Sequence, residues 1–220
     1  MRTYLRRLGY KINRKRVQRL MRLMGLEAIY PKPRTSRPHP EHKVYPYLLK
    51  DLAIEQPNQV WTADITYVPM ARGFMYLVAV MDWHSRKVLS FKLSNTLDAN
   101  FCVDALNEAL DRYGPPQIFN TDQGAQFTSK DFIQTLESNG IRVSMDGRRR
   151  VQDNIFIERL WWTVKHHYLY LHAFDNGAQL RTGLKQWFKF YNSQRFHQAL
   201  DNLTPDEVYY GLSSPLAKVA

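Results

Sequence analysis

Apolar side chains recur along this chain in two rhythms, and the switches between them mark its elements. Val17, Leu20, Met21 and Met24 follow the i, i+3, i+4, i+7 spacing of a helix, with Asn13 placed to cap it and Gly25 to end it. Just before it, Leu5, Leu8 and Gly9 suggest a shorter helix and a turn. A different rhythm begins near residue 57. Val60 to Val68 is rich in β-branched and aromatic residues, apolar on both faces, and closed by Pro69. Phe74 to Met81 and Lys87 to Leu93 read as second and third strands, joined by connections short enough for an antiparallel meander. The helical period returns from Asp98 to about Tyr113, where Gly114-Pro115-Pro116 stops it.

Gln117 to Thr121 is a fourth strand, Thr128 or Ser129 caps a helix ending at Asn139-Gly140, and Arg142 to Ser144 is a short fifth strand. Asp153 is placed to cap a long helix running to about Leu171. Leu180, Leu184, Trp187, Phe188 and Tyr191 mark another, and Thr204-Pro205-Asp206-Glu207 is a capping box with proline at the first helical position. Three antiparallel strands followed by helix and strand alternation predict a mixed α/β layer fold.

Composition adds an asymmetry. The 220 residues carry a formal charge of +11, yet residues 1–50 hold 14 Lys/Arg against 2 Asp/Glu, and the remaining 170 are near neutral. Arg14, Lys15, Arg16 and Arg19 cover the polar face of the helix led by Asn13, so helix, glycine turn and basic helix together suit DNA contact. Residues 31–56 read as a Pro-rich basic linker, with Pro31, Pro33, Pro38, Pro40 and Pro46 among Lys, Arg, Ser and His. The single Cys102 excludes an internal disulfide and a Cys-paired zinc site, and points to a reducing, intracellular setting. No apolar run is long enough to span a membrane.

Three acids sit where a carboxylate is hard to explain by structure alone. Asp64 lies mid-strand, where Asp is depleted and an unpartnered buried charge is costly. Asp122 directly follows the fourth strand, at the kind of strand end where α/β sheets place chemistry. Glu158 lies on the long helix, with Asn154 and Lys165 within roughly 40° of it around the axis. If the three converge, their repulsion calls for hard divalent cations with oxygen ligands. Each acid also has a plain alternative: a strand end or Arg partner, a turn cap, a solvated helix position.

Asp64, Asp122 and Glu158 are separated by 57 and then 35 residues, and the second spacing resembles the DD(35)E signature of retroviral integrases and many transposases. The words around them are similar to those of the insertion-sequence-three family of bacterial transposases. These are Trp61-Thr62-Ala63-Asp64-Ile65-Thr66-Tyr67, Asp82-x-x-Ser85-Arg86, Thr121-Asp122-Gln123-Gly124-Ala125-Gln126-Phe127-Thr128-Ser129, and Asp153-Asn154-x-x-x-Glu158 with Lys165. Ser144-Met145-Asp146-Gly147 and Tyr191-Asn192-x-x-Arg195-x-His197-x-x-Leu200 with Thr204-Pro205 extend the likeness over nearly the whole chain.

The resemblance implies a ribonuclease-H-like mixed five-stranded sheet flanked by helices, with a small all-α basic N-terminal segment. It divides the chain into a partial helix-turn-helix-like segment (1–30), the linker (31–56), an integrase catalytic core (57–175) and a C-terminal helical extension (176–220). It implies a DNA transposase in which Asp64, Asp122 and Glu158 hold two Mg²⁺ (or Mn²⁺) ions. A 3′-hydroxyl is freed by water and then attacks a second phosphodiester, with no covalent protein–DNA intermediate. Lys165 and Asn154 are expected near DNA. The implied partners are insertion-sequence ends and target DNA, further copies of the chain on that DNA, and an upstream OrfA protein or fusion. The implied location is the bacterial cytoplasm, at the nucleoid.

Two departures from the family pattern bear on activity. Arg148-Arg149-Arg150 stands where the family carries a further glycine, exchanging loop freedom for a phosphate grip. The chain also starts partway through the family's helix-turn-helix. A truncated reading frame, a misassigned start and the downstream half of a frameshift fusion all fit that start. The alternative to an active transposase is a catalytically inactive DNA-binding remnant of a mobile element. A stand-alone ribonuclease is disfavoured by the basic arm, and a retroviral integrase by the single cysteine.

Overall fold

The computed structural model describes residues 1–25, 45–71, 73–146 and 155–212. The chain divides into two compact units, Met1–Arg37 and Pro38–Ala220. In the first, α1 (Arg2–Arg7) is followed by a turn at Gly9 and by α2 (Arg14–Leu23). Gly9 adopts φ +89°, a backbone region that costs glycine little. The Asn13 side chain accepts from the Arg16 N–H at 2.8 Å, which caps α2 as its sequence predicts. Val17 is buried on the inner face and Leu20 and Met21 are half-buried, but Met24, predicted for the same stripe, is exposed at the last turn.

The larger unit is built on one sheet. Its strands are β1 (Val60–Pro69), β2 (Phe74–Asp82), β3 (Val88–Ser94), β4 (Ile118–Thr121) and β5 (Arg142–Met145). They lie in the order β3-β2-β1-β4-β5. The β1–β2 and β2–β3 pairs are antiparallel, while β4 joins β1 and β5 joins β4 in parallel. The predicted meander is therefore present, and β1 is the central strand where the sheet changes from antiparallel to parallel.

Alternation along β1 and β2 feeds two cores. Trp61, Ala63, Val78 and Val80 face α3 (Asn100–Tyr113) and α4 (Lys130–Ser138), where they meet Phe101, Leu106, Phe132 and Leu136. Val68, Leu77, Ala79 and Met81 face α5 (Ile155–His167) and α6 (Gly177–Ser193), where Ile157, Leu160, Leu184 and Phe188 cover them. The chain then closes with α7 (Pro205–Tyr210), held by the predicted reciprocal Thr204–Glu207 capping box.

Two boundaries differ from the sequence pattern. The long helix ends at His167, not Leu171, because Tyr168 leaves helical geometry (φ −142°, ψ −64°) and a single 3₁₀ turn, Leu169–Leu171, follows. Its predicted Asp153 cap lies outside the described residues. The third helix starts at Asn100, two residues after Asp98, whose carboxylate accepts from the Asn100 N–H at 3.0 Å.

Within the segment read as a linker, residues 45–56 lie on the sheet unit. Leu49 packs with Val60, Trp83 and Ile118, and the Leu48 N–H donates to Ser144 Oγ at 3.0 Å. Apolar Tyr47, Leu48, Leu49 and Ile54 supply the contact area that the proline-rich composition masked. Among the described residues, no helix is long and apolar enough to cross a membrane.

Candidate active site

Asp64 sits in the middle of β1, opposite Ala79 of β2 and on the α5 side of the sheet. A carboxylate at that place needs a donor, and α5 provides one. Trp161 Nε1 donates to Asp64 Oδ2 at 2.8 Å across 97 residues of sequence. Trp161 is 6% exposed, so its N–H also needs this acceptor. Burial is the largest influence on the Asp64 carboxyl and raises its pKa from 3.8 to about 6. The Trp161 and Ile65 N–H groups oppose the rise, and the charges of Asp122 and Glu158 add to it.

Asp122 follows the last residue of β4, so the parallel β1–β4 pairing carries its carboxylate toward the β1 acid. The residue after next must come very close. Gly124 N–H donates to Asp122 Oδ1 at 2.9 Å, and a Cβ at Gly124 would lie 2.8 Å from that same oxygen. Only glycine fits this approach without moving the carboxylate. Burial again raises the Asp122 pKa, with the Gly124 N–H pulling it back down.

Glu158 lies in the first turn of α5, exposed, three residues before Trp161. Lys165 lies on the same side of the helix one turn beyond Trp161. It is half-buried, and burial lowers its pKa while the Asp64 charge opposes the fall. Glu158, Trp161 and Lys165 thus occupy i, i+3 and i+7 of one face, and that face is turned to β1.

The predicted acids are near enough for Asp64 to feel the other two charges. Even so, among the described residues no group of three His, Cys, Asp or Glu closes into a metal-holding cluster. The donor set still suits a hard cation, being all carboxylate oxygen with mutual repulsion to relieve. Asn154 and Arg148–Arg150 lie outside the described residues. Arg14, Lys15, Arg16 and Arg19 are exposed on α2, in the other unit.

One participant escaped the sequence pattern. Trp161 reads there as one more apolar stripe residue; the signal for its second role is that a buried indole N–H seldom goes unpaired. Asp82 is 0% exposed and belongs to the scaffold. It accepts from the Asn58 N–H, the Ser85 N–H and Ser85 Oγ at 2.8, 2.8 and 2.6 Å, which fixes the β2–β3 turn.

Comparison with known proteins bears on this arrangement. Residues 54–150 and 139–205 match models of an integrase core domain, and residues 1–34 match an HTH-like domain. The transposase InsF for insertion sequence IS3A of Escherichia coli (strain K12) is 31% identical over 209 residues, 92% of this chain and 73% of that protein. The chain belongs to the IS3 family of transposases. The relationship extends beyond that relative. The transposase for insertion sequence element IS904 of Lactococcus lactis subsp. lactis (strain IL1403) is 30% identical over 218 residues, 92% of this chain and 83% of that protein.

Among solved structures, this IS3-family chain is similar to the HTLV-2 integrase catalytic core domain in complex with magnesium. The TM-score is 0.57 at 20% identity, over 70% of this chain and 97% of that one. It is also similar to a chain of a simian T-cell lymphotropic virus intasome, with a TM-score of 0.61 at 19% identity, over 81% of this chain and 62% of that one. These likenesses give the transposase the ribonuclease-H-like fold that its sequence words implied.

Proposed function

We propose that this transposase cleaves and joins DNA at Asp64, Asp122 and Glu158 with divalent metal ions. The substrates would be insertion-sequence ends and target DNA. The observation that carries the proposal is the mid-strand carboxylate of Asp64, bonded at 2.8 Å to Trp161 of the helix that bears Glu158, with Asp122 at the end of the neighbouring parallel strand; burial and the two other charges lift its pKa. Groups tuned this way cluster at functional sites, and the HTLV-2 core of the same fold was solved with magnesium.

Asp64, Asp122 and Glu158 would together hold two Mg²⁺ (or Mn²⁺) ions. What such cations supply when bound is charge, which offsets the negative phosphoryl oxygens and lowers the pKa of an attacking hydroxyl. The chain's own residues do the rest. The Trp161 N–H holds Asp64 in one rotamer, the Gly124 N–H orients Asp122, and Lys165 offsets phosphate charge beside Asp64. In the first step a water oxygen bonds to phosphorus and the 3′-oxygen leaves, taking up a proton as a free 3′-hydroxyl. In the second step that 3′-oxygen bonds to a new phosphorus and loses its proton, while the P–O bond to the target's own 3′-oxygen breaks and that oxygen takes up a proton as the leaving 3′-hydroxyl. Asn154 and Arg148–Arg150 would contact the same DNA, and Arg14, Lys15, Arg16 and Arg19 its flanking duplex.

The neighbouring viral chain belongs to an intasome, and for this chain we propose an assembly of several copies on DNA with an upstream OrfA partner or fusion. The test is strand transfer on element-end DNA with Mg²⁺ or Mn²⁺. Asp64→Asn, Asp122→Asn and Glu158→Gln are each expected to lower it by at least ~10³-fold, as does chelation, with DNA binding retained. Transfer that survives all three substitutions would overturn the assignment. DNA binding without cleavage under either metal would favour an inactive remnant.

A further inference from the structure

The chain has five tryptophans, and the fold buries four of them. Trp61, Trp83, Trp161 and Trp187 are 0%, 9%, 6% and 7% exposed, whereas Trp162 is 55% exposed. An indole left in water forgoes a large burial gain, so its place on the molecule matters. Trp161 turns inward to Asp64, while its neighbour Trp162 turns outward one turn after Glu158 and three residues before Lys165.

The ring does not stand alone. His166 stacks on it at 4.6 Å between centroids with 21° between planes, and Tyr170, itself 56% exposed, meets His166 edge-on at 5.3 Å. His166 Nδ1 lies 2.9 Å from the Trp162 carbonyl oxygen, which fixes the imidazole as a backing plate. His167 meets the same ring edge-on at 5.4 Å, and the indole is still more than half exposed, so it forms a supported stacking surface one turn from Glu158.

We propose that Trp162, backed by His166, stacks an unpaired nucleobase of the DNA strand engaged at Asp64, Asp122 and Glu158. The inference rests on the function proposed above and deepens it. Charge selects the occupant. The described α5 residues carry the cations Arg159 and Lys165 against Glu158 alone. A second copy laid face to face about a two-fold axis would oppose like charges, whereas nucleic acid supplies phosphate. A base inside a duplex is already stacked on both faces, so only an unpaired or frayed base offers a free one. Stacking of this kind is tolerant of sequence.

The probe is a short duplex carrying 2-aminopurine as an unpaired terminal base, compared with the same duplex fully paired, both with the full chain under chelation. The parent chain is expected to quench the unpaired probe and to bind that end at least about fivefold more tightly than Trp162→Ala does. Trp162→Phe should retain most of the quench, and affinity for the paired duplex should stay unchanged. Thermal unfolding reports whether each variant remains folded. Glu158→Gln should quench like the parent while losing strand transfer, which separates stacking from chemistry.

Equal quenching and equal affinity in parent and Trp162→Ala would overturn the platform. So would a Trp162→Ala variant that changes only the oligomeric state in sedimentation, since that result assigns the ring to a second copy. Quenching by a parent chain that cannot transfer strands would sink the proposed activity and leave the platform standing.

Discussion

Asp64 is ionised at neutral pH against resistance, and that resistance has a sign. Its carboxyl titrates near 3.8 in an unfolded chain and near 6 in the fold, mainly because it is buried. Between those values the folded state binds more protons than the unfolded state. Stability therefore falls as pH rises from about 4 to about 6, and the full penalty persists above that. Asp64→Asn removes the charge and can still accept from Trp161. Without metal, near pH 8, the variant should be more stable than the parent by roughly 1–3 kcal/mol, with the gap closing below about pH 4. Urea unfolding across that range measures it, and a parent of equal or greater stability at pH 8 would contradict the burial account. Added Mg²⁺ should stabilise the parent and spare the variant, because a ligand of the folded state raises its stability.

At the scale of elements, the Asn192 side chain adds hydrogen bonds to the apolar packing of α6 on the sheet. Asn192 Oδ1 accepts from the Val88 N–H at 2.9 Å, and Asn192 Nδ2 donates to the Val88 carbonyl at 2.8 Å. Asn192→Ala leaves both β3 backbone groups unanswered and should cost roughly 2 kcal/mol in equilibrium unfolding. A change below about 0.5 kcal/mol would mean that water replaces both bonds. The sequence placed Asn192 only as a letter in a family word, and the contrast is instructive. Strands, helices and caps came from local periodicity, which the chain displays openly. The Asn192 clamp, the Trp161–Asp64 bond and the three-donor cradle of Asp82 join residues whose meeting depends on how layers stack. The end of α5 escaped for the same reason, since Tyr168 packs against Phe174 and Trp187 and leaves the helix there. Lys87 read as the opening of a strand; it is 4% exposed, ion-paired with Asp206 and set over the Tyr210 ring at 4.7 Å.

For the whole molecule, the positive excess belongs to one unit and the proposed chemistry to the other. Replacing Arg14, Lys15, Arg16 and Arg19 by Gln removes four exposed charges from α2. DNA affinity should then fall, and the slope of log affinity against log salt should flatten by up to about 3–4. Fluorescence anisotropy over a salt series reads both quantities; an unchanged slope would show that α2 does not touch phosphate. The Trp161–Asp64 bond also carries a consequence in time. The strands of the meander are close in sequence and can pair early, yet the indole that holds Asp64 lies 97 residues downstream. At roughly 5–20 residues per second, synthesis separates the two by about 5–20 s. Through that interval a nascent chain has its first acid without the group that orients it, and Glu158 has scarcely been made. The proposed chemistry thus waits on the synthesis of α5.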